Sequence, residues 1–213
     1  MNNKITRIVL TGGPCAGKTS ALERIIEYFT DKGYKVFTIP EMPTLFTQAG
    51  MNYLTKNKEF FYEGEKATLE MQLAFEDRFM LMAKTLDVPC LIVCDRGTMD
   101  ISAYMSADMW SHLLSLIGTT SEALRRRYDA VLHLTTTARG SEEFYTTSTN
   151  AQRYEQANEE GMRIARELDT KVYQAWSGHS HLRVIENQEY FSQKAEKVIE
   201  EIEDLLTYII YTS

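Results

Sequence analysis

The segment Gly12-Gly13-Pro14-Cys15-Ala16-Gly17-Lys18-Thr19 constrains this chain more than any other. A glycine, four residues, a second glycine, a lysine and then a serine or threonine is the spacing of a phosphate-binding loop. It follows directly on the branched apolar run Ile5 to Leu10 and precedes a helical segment, Ala21 to Phe29. The chemistry asks for that context, because several main-chain amides must converge on one polyphosphate. Glycines let the backbone approach closely, and a helix start adds its positive dipole end. The reading therefore places Gly12, Gly13, Pro14, Cys15, Ala16, Gly17, Lys18, Thr19 and Ser20 around a nucleoside triphosphate. Lys18 reaches the β- and γ-phosphates, and the Thr19 hydroxyl ligates a magnesium ion bridging them. Cys15 reads as a small filler residue rather than a redox-sensitive thiol.

Four more short apolar runs follow, at Lys35 to Ile39, Leu91 to Cys94, Ala130 to Leu134 and Leu182 to Ile185, each separated by a long segment of helical character. Strands that are apolar on both faces must be covered on both sides, so the alternation predicts an α/β fold around a parallel sheet. Asp31-Lys32-Gly33 marks the end of the first helix, and Leu69, Leu73, Glu76, Met80 and Ala83 trace a stripe along a later helix read at Ala67 to Leu86. With 213 residues, no repeat and no proline-rich linker, residues 1–213 read as a single domain.

Thirty acidic against twenty-three basic residues give a net charge of −7, which argues against a nucleic-acid partner. Cys15, Cys90 and Cys94 are an odd number without metal-ligand spacing, so no zinc site or disulfide framework is expected. No apolar run approaches the ~20 residues of a membrane-spanning helix, and no signal-peptide pattern opens the chain. The expected compartment is the cytoplasm.

Two further charged clusters stand at strand ends, the edge where open parallel sheets bind ligands. The run Leu91 to Cys94 leads into Asp95-Arg96-Gly97. Asp95 is the candidate magnesium carboxylate, and Arg96 is expected to hold the acceptor or neutralise the transferred phosphoryl group. Because an arginine and not a second acid follows Asp95, the acid pair that would activate a hydrolytic water is missing. Ile39-Pro40-Glu41-Met42-Pro43 ends another strand, with Glu41 placed to take a proton from a hydroxyl acceptor or to hydrogen-bond a sugar. The rings of Phe46, Tyr53, Phe60, Phe61 and Tyr62 read as packing of a helical elaboration, with stacking on a substrate as the alternative.

Residues 135 to 149 are rich in serine and threonine, with eight of fifteen of those types, and read as a loop. A connection this long is functional or disordered in a compact domain. With the helical segment carrying Arg163, Arg166 and Lys171 it forms an expected lid at about 135–175, from which Arg153 would reach the triphosphate. Arg163 and Glu167 stand four apart, so a solvated helix face explains that pair equally well.

The phosphate loop, Pro40-Glu41, Cys94-Asp95-Arg96-Gly97 with Asp100, Tyr128 to Leu134, and Ala175-Trp176-Ser177-Gly178-His179 together resemble the P-loop module of the ribosylnicotinamide-kinase-like and TRPL-translocation-defect protein family, an AAA-type ATP/GTP-binding domain. The resemblance covers most of the chain. It implies a three-layer P-loop NTPase fold with a five-stranded parallel sheet of the nucleoside-kinase type and a helical lid. The animal translocation-defect proteins carry a further C-terminal domain, whereas the sequence here ends soon after a helix expected at about Tyr190 to Tyr208, so activities assigned through that domain are not carried over.

Two function classes follow. The first is a magnesium-dependent phosphotransferase moving the γ-phosphoryl of ATP, or of GTP, to a small hydroxyl acceptor of nucleoside-like kind, with Lys18, Glu41, Asp95, Arg96 and Arg153 carrying the chemistry. The second is a nucleotide-dependent regulatory protein with a protein partner, or a slow NTPase without an acceptor. Ordinary GTPase architecture is disfavoured, since Asn57-Lys58 continues as Glu59-Phe60 and no guanine-reading segment occurs.

Overall fold

The computed structural model describes residues 5–142, 145 and 158–212. Five parallel strands run β1 (Ile5–Thr11), β2 (Lys35–Ile39), β3 (Cys90–Asp95), β4 (Ala130–Leu134) and β5 (Leu182–Ile185). They lie in the spatial order β2-β3-β1-β4-β5. The helices are α1 (Lys18–Asp31), α2 (Met42–Gln48), α3 (Lys58–Ala83), α4 (Ala107–Ile117), α5 (Ser121–Arg125), α6 (Glu159–Trp176) and α7 (Phe191–Thr212), with a 3-10 helix at Thr98–Ala103.

Successive strand residues point to opposite faces, and the central strands show the consequence. Ile8 and Leu10 of β1 pack with Leu91 and Val93 of β3 against Ile25 and Phe29 of α1 and Val198 and Ile202 of α7. Val9, Ile92 and Cys94 face the other way, onto Leu69 of α3, Leu113 of α4 and Val172 and Trp176 of α6. Two apolar cores on one sheet make the expected three layers. Sequence-level helix ends hold where the chemistry is local: Gly33 takes φ +85, its N–H reaching Thr30 O at 2.9 Å, where the chain leaves α1. Upstream, α3 starts nine residues before the helix read from its stripe, because the Asn57 side chain caps it by accepting from Glu59 N and Phe60 N.

Register brings the strand ends level. Leu10 lies opposite Asp95, Ile39 opposite Cys94, and Thr11 opposite His133. The loop after β1, the turn after β2 and the turn after β3 therefore open on one edge of the sheet. Among the described residues no helix is long and apolar enough to cross a membrane.

Candidate functional site

After Thr11 the backbone turns through Gly12 at φ +133, Cys15 at φ +55 and Gly17 at φ +84 before α1 begins at Lys18. Gly17 caps α1 without a side-chain bond, so the first-turn amides stay available to an anion. Distant segments hold the loop. Thr136 donates its hydroxyl to Pro14 O, and Thr137 donates to Cys15 O through both its N–H at 3.4 Å and its hydroxyl at 3.1 Å. On the other side, Gly13 N–H donates to Asp169 Oδ1 of α6 at 2.9 Å. Lys18 Nζ folds over the loop, donating to Gly12 O at 3.3 Å and Gly13 O at 3.1 Å.

This loop forms one wall of a cleft of about 820 Å³. Cys15 to Ser20 line that wall, Glu41, Thr44 and Asp95 stand opposite, and Asn187 and Lys194 close one side. The phosphate loop and two of the predicted strand-end carboxylates thus share one space. Thr19 is exposed on the cleft, as a metal-binding hydroxyl needs to be.

The carboxylates differ. Burial would raise the pKa of Glu41, but the charges of Arg96 and Lys18 and the hydrogen bonds from Thr44 and Arg96 outweigh it and hold the group at about 2. A carboxylate that acidic accepts hydrogen bonds well and removes protons poorly, so the geometry favours the orienting role over the proton-taking one. Burial raises Asp95 above the usual carboxylate range, with Glu41 and Asp100 adding to the rise against Lys18 and Arg96. Its Oδ1 is buried and has no hydrogen-bond partner among the described residues. An orphaned carboxylate oxygen facing a phosphate cleft fits a divalent cation.

Arg96 departs from expectation. It sits at φ +67, 8% exposed and behind the cleft lining, where its guanidinium bonds Glu41 Oε1, Asp100 Oδ1 at 3.3 Å and Gly12 O at 3.4 Å. Those contacts make it a brace between the turn after β2, the 3-10 helix and the phosphate loop, rather than a cation offered to a phosphoryl group. Arg153 lies outside the described residues. Arg163 is exposed and paired with Glu160 and Glu167, the solvated face that the spacing allowed. Of the aromatic stretch, Phe60 is exposed and Tyr53 bonds Thr68 of α3 at 2.7 Å, and neither lines the cleft.

The described ends of the 135–175 segment are docked. Thr136 and Thr137 grip the phosphate loop, Arg166 donates to Ala138 O at 3.1 Å, and Val172 is fully buried.

A family profile described as an AAA domain matches residues 7–194. The chain belongs to this AAA domain family. The fold of the AAA domain is similar to that of "Shikimate kinase from Acinetobacter baumannii in complex with shikimate", with a TM-score of 0.54 over 95% of each chain at 16% identity. The comparison with curated proteins gives no match. It is thus a P-loop domain of kinase-like fold.

Sequence reasoning missed two residues of the AAA domain site. Asp169 accepts from the Gly13 amide, from His133 Nε2 at 3.1 Å and from Arg139 Nε at 3.4 Å. Burial would raise it, but the His133 hydrogen bond and charge, the Gly13 amide and Arg139 bring it below the usual range. Lys194, buried in the cleft wall, donates to Thr135 O at 2.6 Å and Asn187 Oδ1 at 2.7 Å. Neither gave a local signal, since Asp169 meets Gly13 across 156 positions and Lys194 meets Thr135 across 59.

Burial lowers Lys194 to about 8 from an ordinary 10.5, against the favourable charges of Asp169 and Glu186. Between those pH values the unfolded chain binds the proton and the folded one does not, so stability rises with pH across that window. Glu65, which burial holds at about 8, and the raised Cys94 thiol work the other way, so the Lys194 share is read as a difference: in chemical denaturation at pH 7 and pH 9.5 the natural chain should gain stability relative to Lys194→Met.

For Lys18→Ala we expect triphosphate affinity to fall at least about tenfold, or ~1.4 kcal/mol, by equilibrium titration. Unchanged affinity would remove the ammonium from the phosphate site.

Proposed function

We propose that this AAA domain transfers the γ-phosphoryl group of a nucleoside triphosphate, ATP or GTP, to a hydroxyl of a small acceptor. The observation that carries this reading is the shared cleft, in which the phosphate loop faces Glu41 and Asp95 with room between them. A hydrolase needs a positioned water-activating base, whereas Glu41, held at about 2, is suited to aligning a hydroxyl. The main-chain amides of the loop and the start of α1 grip the polyphosphate, and Lys18 exchanges its contacts with Gly12 O and Gly13 O for phosphate oxygens. Thr19 and Asp95 would hold a magnesium ion, which would neutralise charge on the phosphates. Glu41, fixed by Arg96 and Thr44, orients the acceptor hydroxyl for in-line attack; the hydroxyl oxygen bonds the γ-phosphorus as the bridging bond to the departing nucleoside diphosphate breaks, and the hydroxyl proton passes to an oxygen of the transferred phosphoryl group. The 135–175 segment is the proposed lid, with Arg153 as its proposed phosphate contact.

Within the family, the ribosylnicotinamide-kinase-like branch is the reading we favour. Two of the segments that carry the resemblance, Cys94 to Gly97 with Asp100 and Ala175 to His179, meet in space: Trp176 Nε1 donates to Asp100 Oδ2 at 3.0 Å, and a β-carbon on Gly97 would stand 2.7 Å from the Trp176 ring. The test is a panel of nucleosides and sugars with labelled ATP and GTP. We expect a phosphorylated product that Glu41→Gln reduces about tenfold or more while triphosphate affinity holds. Hydrolysis without any phosphorylated acceptor would sink the proposal.

A further inference from the structure

The acceptor end of the cleft has a definite charge character. Glu41 and Asp95 line it together with Thr38, Thr44 and Gln48. Behind them stands Asp100, at 2% exposure. Three carboxyl groups thus meet two cations, Arg96 and Lys18, and neither cation is spare. Arg96 is already shared between Glu41, Asp100 and Gly12 O, and it is screened from the cleft by the groups it binds. Lys18 lies on the phosphate loop, where a bound triphosphate takes its charge. The other lysine of the cleft wall, Lys194, sits at the far side beside Asn187 and is spent on Thr135 O and Asn187 Oδ1.

At the acceptor end, then, acidic groups outnumber basic ones among the described residues, and the other polar groups lining it are the Thr38 and Thr44 hydroxyls and the Gln48 amide, none of which carries a positive charge.

We propose that the acceptor end of this cleft selects a hydroxyl compound carrying no negative charge and rejects acceptors that bear a carboxylate or a phosphate. The inference rests on the phosphotransferase reading and narrows its substrate class. A carboxylate or phosphate placed there would meet the Glu41 oxygens without a free cation, since the magnesium ion that Asp95 would help hold is spent, like Lys18, on the triphosphate, and like-charge contact in a partly dry site is strongly disfavoured. An uncharged hydroxyl donates to Glu41, whose Oε1 and Oε2 each keep a lone pair beyond the bonds from Arg96 and Thr44.

The experiment uses matched pairs that differ in one anionic group: uridine with orotidine, pantothenol with pantothenate, and methyl shikimate with shikimate. Binding to the full chain is measured with a non-hydrolysable triphosphate and magnesium present, and turnover with labelled ATP and GTP. We expect the uncharged member of at least one pair to bind about tenfold or more tightly than its anionic partner. Raising salt to 1 M, where the screening length is about 3 Å, should narrow that ratio. Glu41→Gln should narrow it too, and the salt series gives the same readout if that variant does not fold. Equal binding within every pair, binding by no member, or preference for the anionic member overturns the inference. Selective binding without turnover supports this inference and overturns the phosphotransferase reading.

Discussion

Gly12→Ala should leave a protein that neither binds triphosphate nor keeps its full stability. Two costs add. The residue sits at φ +133, a conformation that L side chains rarely adopt, and a β-carbon there would stand 2.0 Å from Leu134 O. That oxygen belongs to the end of β4, a backbone atom fixed by pairing with β5, so it cannot move aside as a flexible side chain would. Backbone strain of about 1–3 kcal/mol and overpacking of about 1–3 kcal/mol together predict a loss of roughly 2–6 kcal/mol. Relieving the clash requires the loop to lift away from β4. That movement also breaks the Gly13 N–H bond to Asp169 and the Lys18 contacts with Gly12 O and Gly13 O. The right control is Gly33→Ala, where φ is also positive at +85 but the added carbon meets nothing within 4 Å. Urea midpoints for the two variants, with triphosphate titrations on each, separate the outcomes: the control should lose only about 1 kcal/mol and bind normally. Equal losses in both would mean that strain alone matters and that the close approach to β4 is relieved at no cost.

The contrast between those glycines also shows what the sequence makes legible. The phosphate loop is readable because its chemistry is local, with amides, lysine and hydroxyl all within eight residues. Strand β3 is readable for a related reason, since the run Leu91 to Cys94 is buried on both faces and stays apolar throughout. The start of α3 is not, because Phe60, Phe61, Tyr62 and Gly64 carry no single stripe and the Asn57 cap is a weak signal by itself. Arg96 shows the sharper limit. At a strand end in sequence it looks like a cation free for substrate, and only the fold reveals Glu41, fifty-five positions earlier, and Asp100 around it. Asp169 is further still from legibility, acting on Gly13 across 156 positions. A charge's role depends on its neighbours, and a linear pattern gives those only when they are close along the chain.

Asp100→Ala is expected to have the other largest effect, through the same neighbours. One carboxylate, buried in the 3-10 helix, accepts from the Thr11 hydroxyl and Arg96 Nη1 through Oδ1, and from Gly97 N and Trp176 Nε1, both at 3.0 Å, through Oδ2. Removing it strands three neutral donors and leaves the guanidinium with Glu41 as its remaining charged partner. Deleting one side of a buried ion pair costs about 3–5 kcal/mol, far more than the net worth of the pair, because the abandoned charge stays buried. Breaking the exposed Glu122–Arg126 pair should be nearly silent by comparison. Asp100→Asn should recover part of the loss, since an amide oxygen can still accept while the charge is gone. Function should follow position rather than stability alone. With Asp100 absent, Arg96 is free to swing toward Glu41 or into the cleft, so acceptor turnover should fall in Asp100→Asn even where the protein remains folded and triphosphate affinity is kept. Denaturation curves with an unchanged slope, read beside triphosphate titrations, test both halves. A variant with wild-type stability would show that the four donors find other partners, and the brace assigned to Arg96 would then have to be built without Asp100.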